Sequence, residues 1–232
     1  MLRTAVLIDG GFLRVKIKQS LRAQLRAAGQ SLKRADGTMK QIHDLIGPRD
    51  YARRVVQFAK SCVDAKQETI YRIFYYDCPP YSGGPSKVKP HPLGMLTPIV
   101  EPAAVSHQNQ MLNFLRLEEY FAVRLGEISF DGWIPLDDSL SDVIQTHRHF
   151  VATDFKPVLK QKGTDLKIGV DSAMMAKEHL VHRLVFVACD SDLVPAMKLA
   201  RRQGIQVVLV SLGALVKKLL REHADLYRTV TL

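Results

Sequence analysis

Lys162-Gly-Thr-Asp165, Ile168-Gly-Val-Asp171 and Leu184-Val-Phe-Val-Ala188, the last running into Cys189-Asp-Ser-Asp192, form the stretch whose reading decides the fold. The run from Leu184 to Ala188 is β-branched and aromatic, which predicts a buried strand. A strand that ends in two carboxylates carries them at the carboxyl edge of a sheet, where open α/β sheets bind ligands. The same pattern occurs near the start, where Ala5-Val-Leu-Ile8 runs into Asp9-Gly-Gly11. The expectation is a scaffold that brings Asp9, Asp165, Asp190 and Asp192 together.

Around these ends the chain alternates helix and short apolar strand, the pattern of a parallel sheet with helices on its faces. Strands are predicted over 4–8, 68–76, 184–188, 205–210 and 226–232. Helices are predicted over 12–28, 50–65, 110–125, 164–176, 193–203 and 214–223. Leu13, Ile17, Leu21, Leu25 and Ala28 give the first helix an apolar stripe, and Arg14, Lys18, Arg22 and Arg26 a cationic one beside it. Thr164 is placed to cap the helix that carries Asp165. Residues 30–48 read as loop, and 81–102 as a long loop because Pro85, Pro90, Pro92, Pro98 and Pro102 exclude regular structure. Residues 126–136 read as an edge or hairpin segment and 156–162 as a basic lead-in, while 137–155 carries no clear pattern. The whole of 1–232 reads as one domain with a Pro-rich insertion near 78–109.

Lys and Arg number 33 against 23 Asp and Glu, a formal net charge of +10. A basic chain suits an anionic partner, most simply nucleic acid; many surface lysines on an ordinary globular protein are the bland alternative. Three cysteines without a CxxC pair argue for a reducing compartment and against a structural zinc site. No apolar run approaches the ~20 residues of a membrane helix. These features predict a cytoplasmic protein without a membrane partner, and leave a homo-oligomer open.

Clustered carboxylates suit a hard divalent cation, Mg²⁺ or Mn²⁺, held by a few oxygens plus water. Taken singly, Asp165 is an ordinary helix-start residue, and Asp190 and Asp192 ordinary turn and cap residues. Their joint placement at strand and helix ends of a basic chain favours a metal site. Asp171 lies six residues past Asp165, well around the helix from it. Asp77 also ends a strand but opens a proline turn, so a turn role is at least as good a reading as a place in the site. The eight histidines form no metal-spaced helix pair and read as surface or loop residues. Rival sites fail on sequence: no Asp-x-Asp follows the first strand, and no GxGxxG, P-loop or G-x-S-x-G elbow is present.

Val6-Leu-Ile-Asp9-Gly10, Phe74-Tyr-Tyr-Asp77, Lys162-Gly-Thr-Asp165 with Asp171, and Ala188-Cys-Asp190-Ser-Asp192-Leu-Val-Pro195 followed by Ala200 and Gly204-Ile-Gln-Val-Val208 resemble, in order, the motifs of the NYN domain, especially its LabA-like bacterial branch. The resemblance implies a PIN-like fold, a Rossmann-like three-layer sandwich of a parallel sheet flanked by helices. It implies a metal-dependent nuclease, an endoribonuclease acting on RNA rather than DNA. Asp9, Asp165, Asp190 and Asp192 are then the metal and catalytic residues, with Asp171, at a further recurrent acidic position, a candidate additional metal ligand. One departure is Phe12, where many members of the family carry Asn. Lys156, Lys160, Lys162 and Arg14 are the expected nucleic-acid contacts. The alternative expectation is a weakly catalytic nucleic-acid-binding or scaffold domain on the same fold, and a third is a phosphatase of small esters.

Overall fold

A computed structural model describes residues 1–83, 91–94, 99–213 and 216–232. The expectations for 84–90, 95–98 and 214–215, which include Pro85, Pro90, Pro98 and the start of the 214–223 helix, lie outside the described residues. Six strands form the main sheet: β1 (Leu2–Asp9), β2 (Glu68–Asp77), β3 (Phe121–Leu125), β6 (Arg183–Val187), β7 (Gln206–Val210) and β8 (Leu226–Arg228). Every pairing among them is parallel, in the order β3-β2-β1-β6-β7-β8. β4 (Glu127–Pro135) and β5 (Phe155–Lys162) make a separate antiparallel ribbon.

Period-two patterning sorts the strand side chains into two cores. From β1, Val6 and Ile8 face one side with Val185, Val187, Val208 and Val210; Ala5 and Leu7 face the other with Leu184, Phe186, Val207 and Leu209. The first core is closed by α1 (Gly10–Ala27), α3 (Pro48–Ser61) and α4 (Pro102–Arg116), through Leu13, Ile17, Val55 and Met111. The second is closed by α6 (Thr164–Lys177), α7 (Val194–Arg202) and α8 (Lys218–Glu222), through Ile168, Met197 and Leu220. The result is the expected three-layer α/β sandwich. Strands buried on both faces explain the near-continuous apolar runs in the sequence, and each fully buried aliphatic contributes about 1.5–3 kcal/mol.

The strand order reverses at β1. From β1 the chain steps outward through β2 to β3 with helices on one face; from β6 it steps the other way with helices on the opposite face. Right-handed crossovers require that exchange of faces. It opens a crevice beyond the carboxyl ends of β1 and β6, where the two sets of loops part.

Several expectations need correction. The helix predicted over 110–125 begins at Pro102 and ends at Arg116; Tyr120 then takes a left-handed φ of 67°, and 121–125 is β3, the sheet's edge. Residues 30–48 hold a short helix, α2 (Ile42–Leu45), and the unpatterned 137–155 holds α5 (Asp137–Thr146) and a 3-10 turn at Ala152–Asp154. The basic lead-in at 156–162 is β5, paired with β4. Thr164 does not cap α6: Gly163 occupies the cap position at φ 80°, with no side-chain hydrogen bond to the helix. His91 and His107 are buried rather than superficial. His91 packs edge-on to Trp133 and Phe155 and so pins its segment to the ribbon.

Candidate functional site

Asp9 is the last residue of β1 and the N-cap of α1. Its Oδ1 accepts a hydrogen bond from the Phe12 amide at 3.1 Å. The turn between strand and helix is tight because residue 10 is glycine: a Cβ there would sit 2.7 Å from the Tyr76 carbonyl oxygen. α1 therefore starts directly against β2, and Asp9 stays at the sheet edge. On the neighbouring strand Val187 is in register with Ile8, so Asp190 lies past the same edge. The Asp190 side chain accepts from the Asp192 amide at 3.0 Å and caps a 3-10 turn at Ser191–Leu193. Asp165 lies in the first turn of α6, exposed, where the helix dipole favours an anion.

These aspartates act on one another. Burial raises the Asp9 carboxyl pKa above its ordinary value; the Phe12 amide opposes the rise, and the charges of Asp165 and Asp77 add to it. Partial desolvation against its neighbours also raises the Asp165 pKa, although the side chain remains largely exposed, and the charges of Asp190 and Asp192 push it further. Asp165 thus sits electrostatically between Asp9 and the Asp190–Asp192 pair. Among the described residues none of the four has a Lys, Arg or His within salt-bridge distance.

Two other aspartates are kept apart from this group by their own partners. Asp171 accepts from the Tyr76 hydroxyl at 2.9 Å and pairs with Arg124 at 3.2 Å. Asp77, fully buried, is ion-paired with Arg14, accepts from the Cys78 amide at 2.7 Å and lies 3.4 Å from the Tyr75 hydroxyl. Arg14, expected on nucleic acid, is thereby committed to the interior, its pKa driven up by Asp77.

The expected lysines lie along β5. Lys156, Lys160 and Lys162 are exposed and share one face of the strand by its pleat, and Lys160 pairs with Asp131 at 2.6 Å. The opposite face of β5 turns toward α1, and Gln161 Oε1 lies 3.4 Å from where a Cβ on Gly11 would be. Gln161, Lys16 and Lys217 were missed from sequence. Lys16 and Asp9 both act on the Cys189 thiol, one lowering and one raising its pKa beneath the larger effect of burial. Lys217 Nζ donates to Ser191 Oγ at 3.1 Å. Lys16 was overlooked because it lies off the Arg14–Lys18–Arg22 stripe, and its rotation about α1 was the available signal. Nothing local singles out Lys217 or Gln161, whose neighbours are distant in sequence.

The side chains of Asp9, Asp165, Asp190 and Asp192 offer only carboxylate oxygen, and they repel one another, which is the donor chemistry of Mg²⁺ or Mn²⁺. Their spacing is open: among the described residues no three His, Cys, Asp or Glu side chains stand close enough to hold one ion. The residues therefore fit a cation held by one or two carboxylates with water completing its shell, as Mg²⁺ favours, and not a closed protein cage.

No protein-family model matches the chain, and no curated protein matches it. It is similar to a crystal structure of a protein of unknown function from Vibrio parahaemolyticus RIMD 2210633, at 13% identity and a TM-score of 0.44, covering 99% of this chain and 93% of that one. Among the described residues no helix is long and apolar enough to cross a membrane.

Proposed function

We propose that the chain is a metal-dependent nuclease of the NYN type, cleaving RNA at the switch-point crevice. The observation that carries the reading is that the charge of Asp165 acts on Asp9, and those of Asp190 and Asp192 on Asp165, with none of the four within salt-bridge distance of a basic partner among the described residues. Holding like charges together raises the free energy of the folded chain, and a bound divalent cation relieves it. Asp9 and Asp190 are the principal ligands: each carboxylate is oriented by backbone amides at the start of the turn that follows it. Asp165 and Asp192 complete the anionic edge and orient water. Mg²⁺ or Mn²⁺ at such a site supplies an activated water and stabilises charge on a phosphodiester. Lys16 and Lys217 flank the edge and hold the phosphates on either side, while the exposed Lys156, Lys160 and Lys162 extend the basic surface along the ribbon.

The test is incubation of the chain with labelled single-stranded and structured RNA and DNA, with and without Mn²⁺, beside Asp190→Asn. The expected result is Mn²⁺-dependent cleavage of RNA that falls by about 10² or more in the variant, with metal-free RNA binding retained. Full activity in the variant means that Asp190 is only the cap of its 3-10 turn. The open spacing of the carboxylates favours one second reading, RNA binding without cleavage; inactivity of the unmodified chain with every divalent metal and substrate, together with salt-sensitive RNA binding, selects it.

A further inference from the structure

A second cavity, of about 600 Å³, opens between α1, α2, α4 and β5. That volume is in the range of small-molecule sites. Its apolar wall includes Val15, Ile42, Ala104 and Pro157, and the Tyr51 ring stacks on His107 at 6.0 Å along the same wall. Its polar part is cationic and incompletely partnered. Arg14 Nε is buried without a hydrogen-bond partner. His43 Nε2 lies 2.8 Å from an Arg34 nitrogen and 3.2 Å from Glu101 Oε2, and its Nδ1 is likewise buried without a partner.

Lys18 adds a charge that no acid among the described residues pairs with. The influences on it all lower its pKa: burial first, then Arg22 and Arg14. The one acid on the cavity wall among the described residues, Glu101, is engaged by Arg34 at 3.0 Å and lies 3.2 Å from His43 Nε2, and the other acid near Arg14, Asp77, is consumed by that arginine. Buried donors almost always find a partner. A water satisfies a donor but leaves the repulsion among Arg14, Lys18 and Arg22; an anion removes both.

We infer that this cavity binds a small organic phosphate, with the phosphate on Lys18 and Arg14 Nε and the organic body against the apolar wall. A phosphate fits better than a carboxylate because it brings up to two negative charges to the three cations Arg14, Lys18 and Arg22, and offers three acceptor oxygens. The site is separate from the aspartate edge and stands whether or not the chain cleaves RNA.

Titration calorimetry on the full chain in EDTA, with adenosine 5′-monophosphate and inorganic phosphate as probes, tests it. The mononucleotide should bind, and bind more tightly than phosphate. Lys18→Gln should weaken it about tenfold or more, and Val15→Trp, which fills the cavity from an exposed position, should abolish it, both with unchanged circular dichroism. Asp190→Asn should bind as the unmodified chain does. The inference is overturned if neither probe binds at millimolar concentration or if phosphate binds and the mononucleotide does not. It is equally overturned if Lys18→Gln and Val15→Trp bind normally, or if binding disappears in Asp190→Asn, which would assign it to the aspartate edge.

Discussion

Asp9 and Asp77 end neighbouring parallel strands, one residue apart in register, yet the fold treats them oppositely. Asp77 is sealed from water and fully answered by the Arg14 guanidinium, the Cys78 amide and the Tyr75 hydroxyl. Asp9 has only the backbone amides of its own turn, Gly11 and Phe12, no cation within salt-bridge distance among the described residues, and the charges of other carboxylates, Asp77 among them, acting on it. The same division recurs on α6, where Asp171 has Tyr76 and Arg124 while Asp165 has Asp190 and Asp192. A carboxylate that the protein completes serves the fold. A carboxylate that it leaves incomplete, beside others like it, is held for something that arrives from outside.

The comparison breaks most visibly at Arg14. Replacing it by Met strands a buried carboxylate, and losing one partner of a buried pair costs about 3–5 kcal/mol. Arg14 keeps 25% of its side chain exposed, so the low end, about 3 kcal/mol, is expected from urea unfolding. Adding Asp77→Asn should recover part of that loss. A stability close to that of the unmodified chain would mean that Asp77 is not the structural member of the contrast.

A smaller effect of opposite sign is expected at Asp165. Its folded pKa is raised, so the native state holds its proton more tightly than the unfolded chain. Stability therefore falls as pH rises from the ordinary carboxylate range through the raised value, and the penalty persists at neutral pH. In EDTA at pH 7, Asp165→Asn should melt about 2 °C higher than the unmodified chain, and the gap should close near pH 3. Mn²⁺ should raise the melting temperature of the unmodified chain more than that of the variant. A variant that melts lower removes the case for stored repulsion.

The smallest effect belongs to Asp171→Asn. An amide still accepts from the Tyr76 hydroxyl, and the lost pair involves an Arg124 that is 48% exposed, so stability should drop by less than about 1 kcal/mol. RNA cleavage, assayed as for Asp190→Asn, should be unchanged. Loss of cleavage would move Asp171 from the satisfied group into the reactive one.

The strand ends were legible because β-branched runs of four or five residues lead directly into Asp, and a two-sided buried strand leaves that mark on any sequence. The separation of Asp171 from Asp165 followed from helical rotation alone. β3 was not legible: Phe121, Val123 and Leu125 alternate with period two, but they follow the helical pattern of 110–116 without a Gly or Pro to divide them. β5 was missed because Lys156, Pro157, Lys160, Gln161 and Lys162 have little strand propensity of their own. They are extended because β4 pairs with them. The reading of Arg14 as a surface cation failed for a related reason. Helical spacing grouped it with Lys18 and Arg22, and only β2, 63 residues further on, supplies the Asp77 that draws it inward.

By itself the sequence determined the α/β alternation, the two apolar strands that end in aspartates and the helix that begins with one, because periodicity and strand length are local properties of the chain. The tertiary structure decided which carboxylates meet a cation of the protein's own and which meet only each other. That choice rests on strand order: placing β1 between β2 and β6 sets Asp77 against α1, where Arg14 neutralises it, and sets Asp9 at the reversal point facing Asp165 and the loop of Asp190. Charge interactions depend on distance through space, and distance through space is what a linear sequence does not contain.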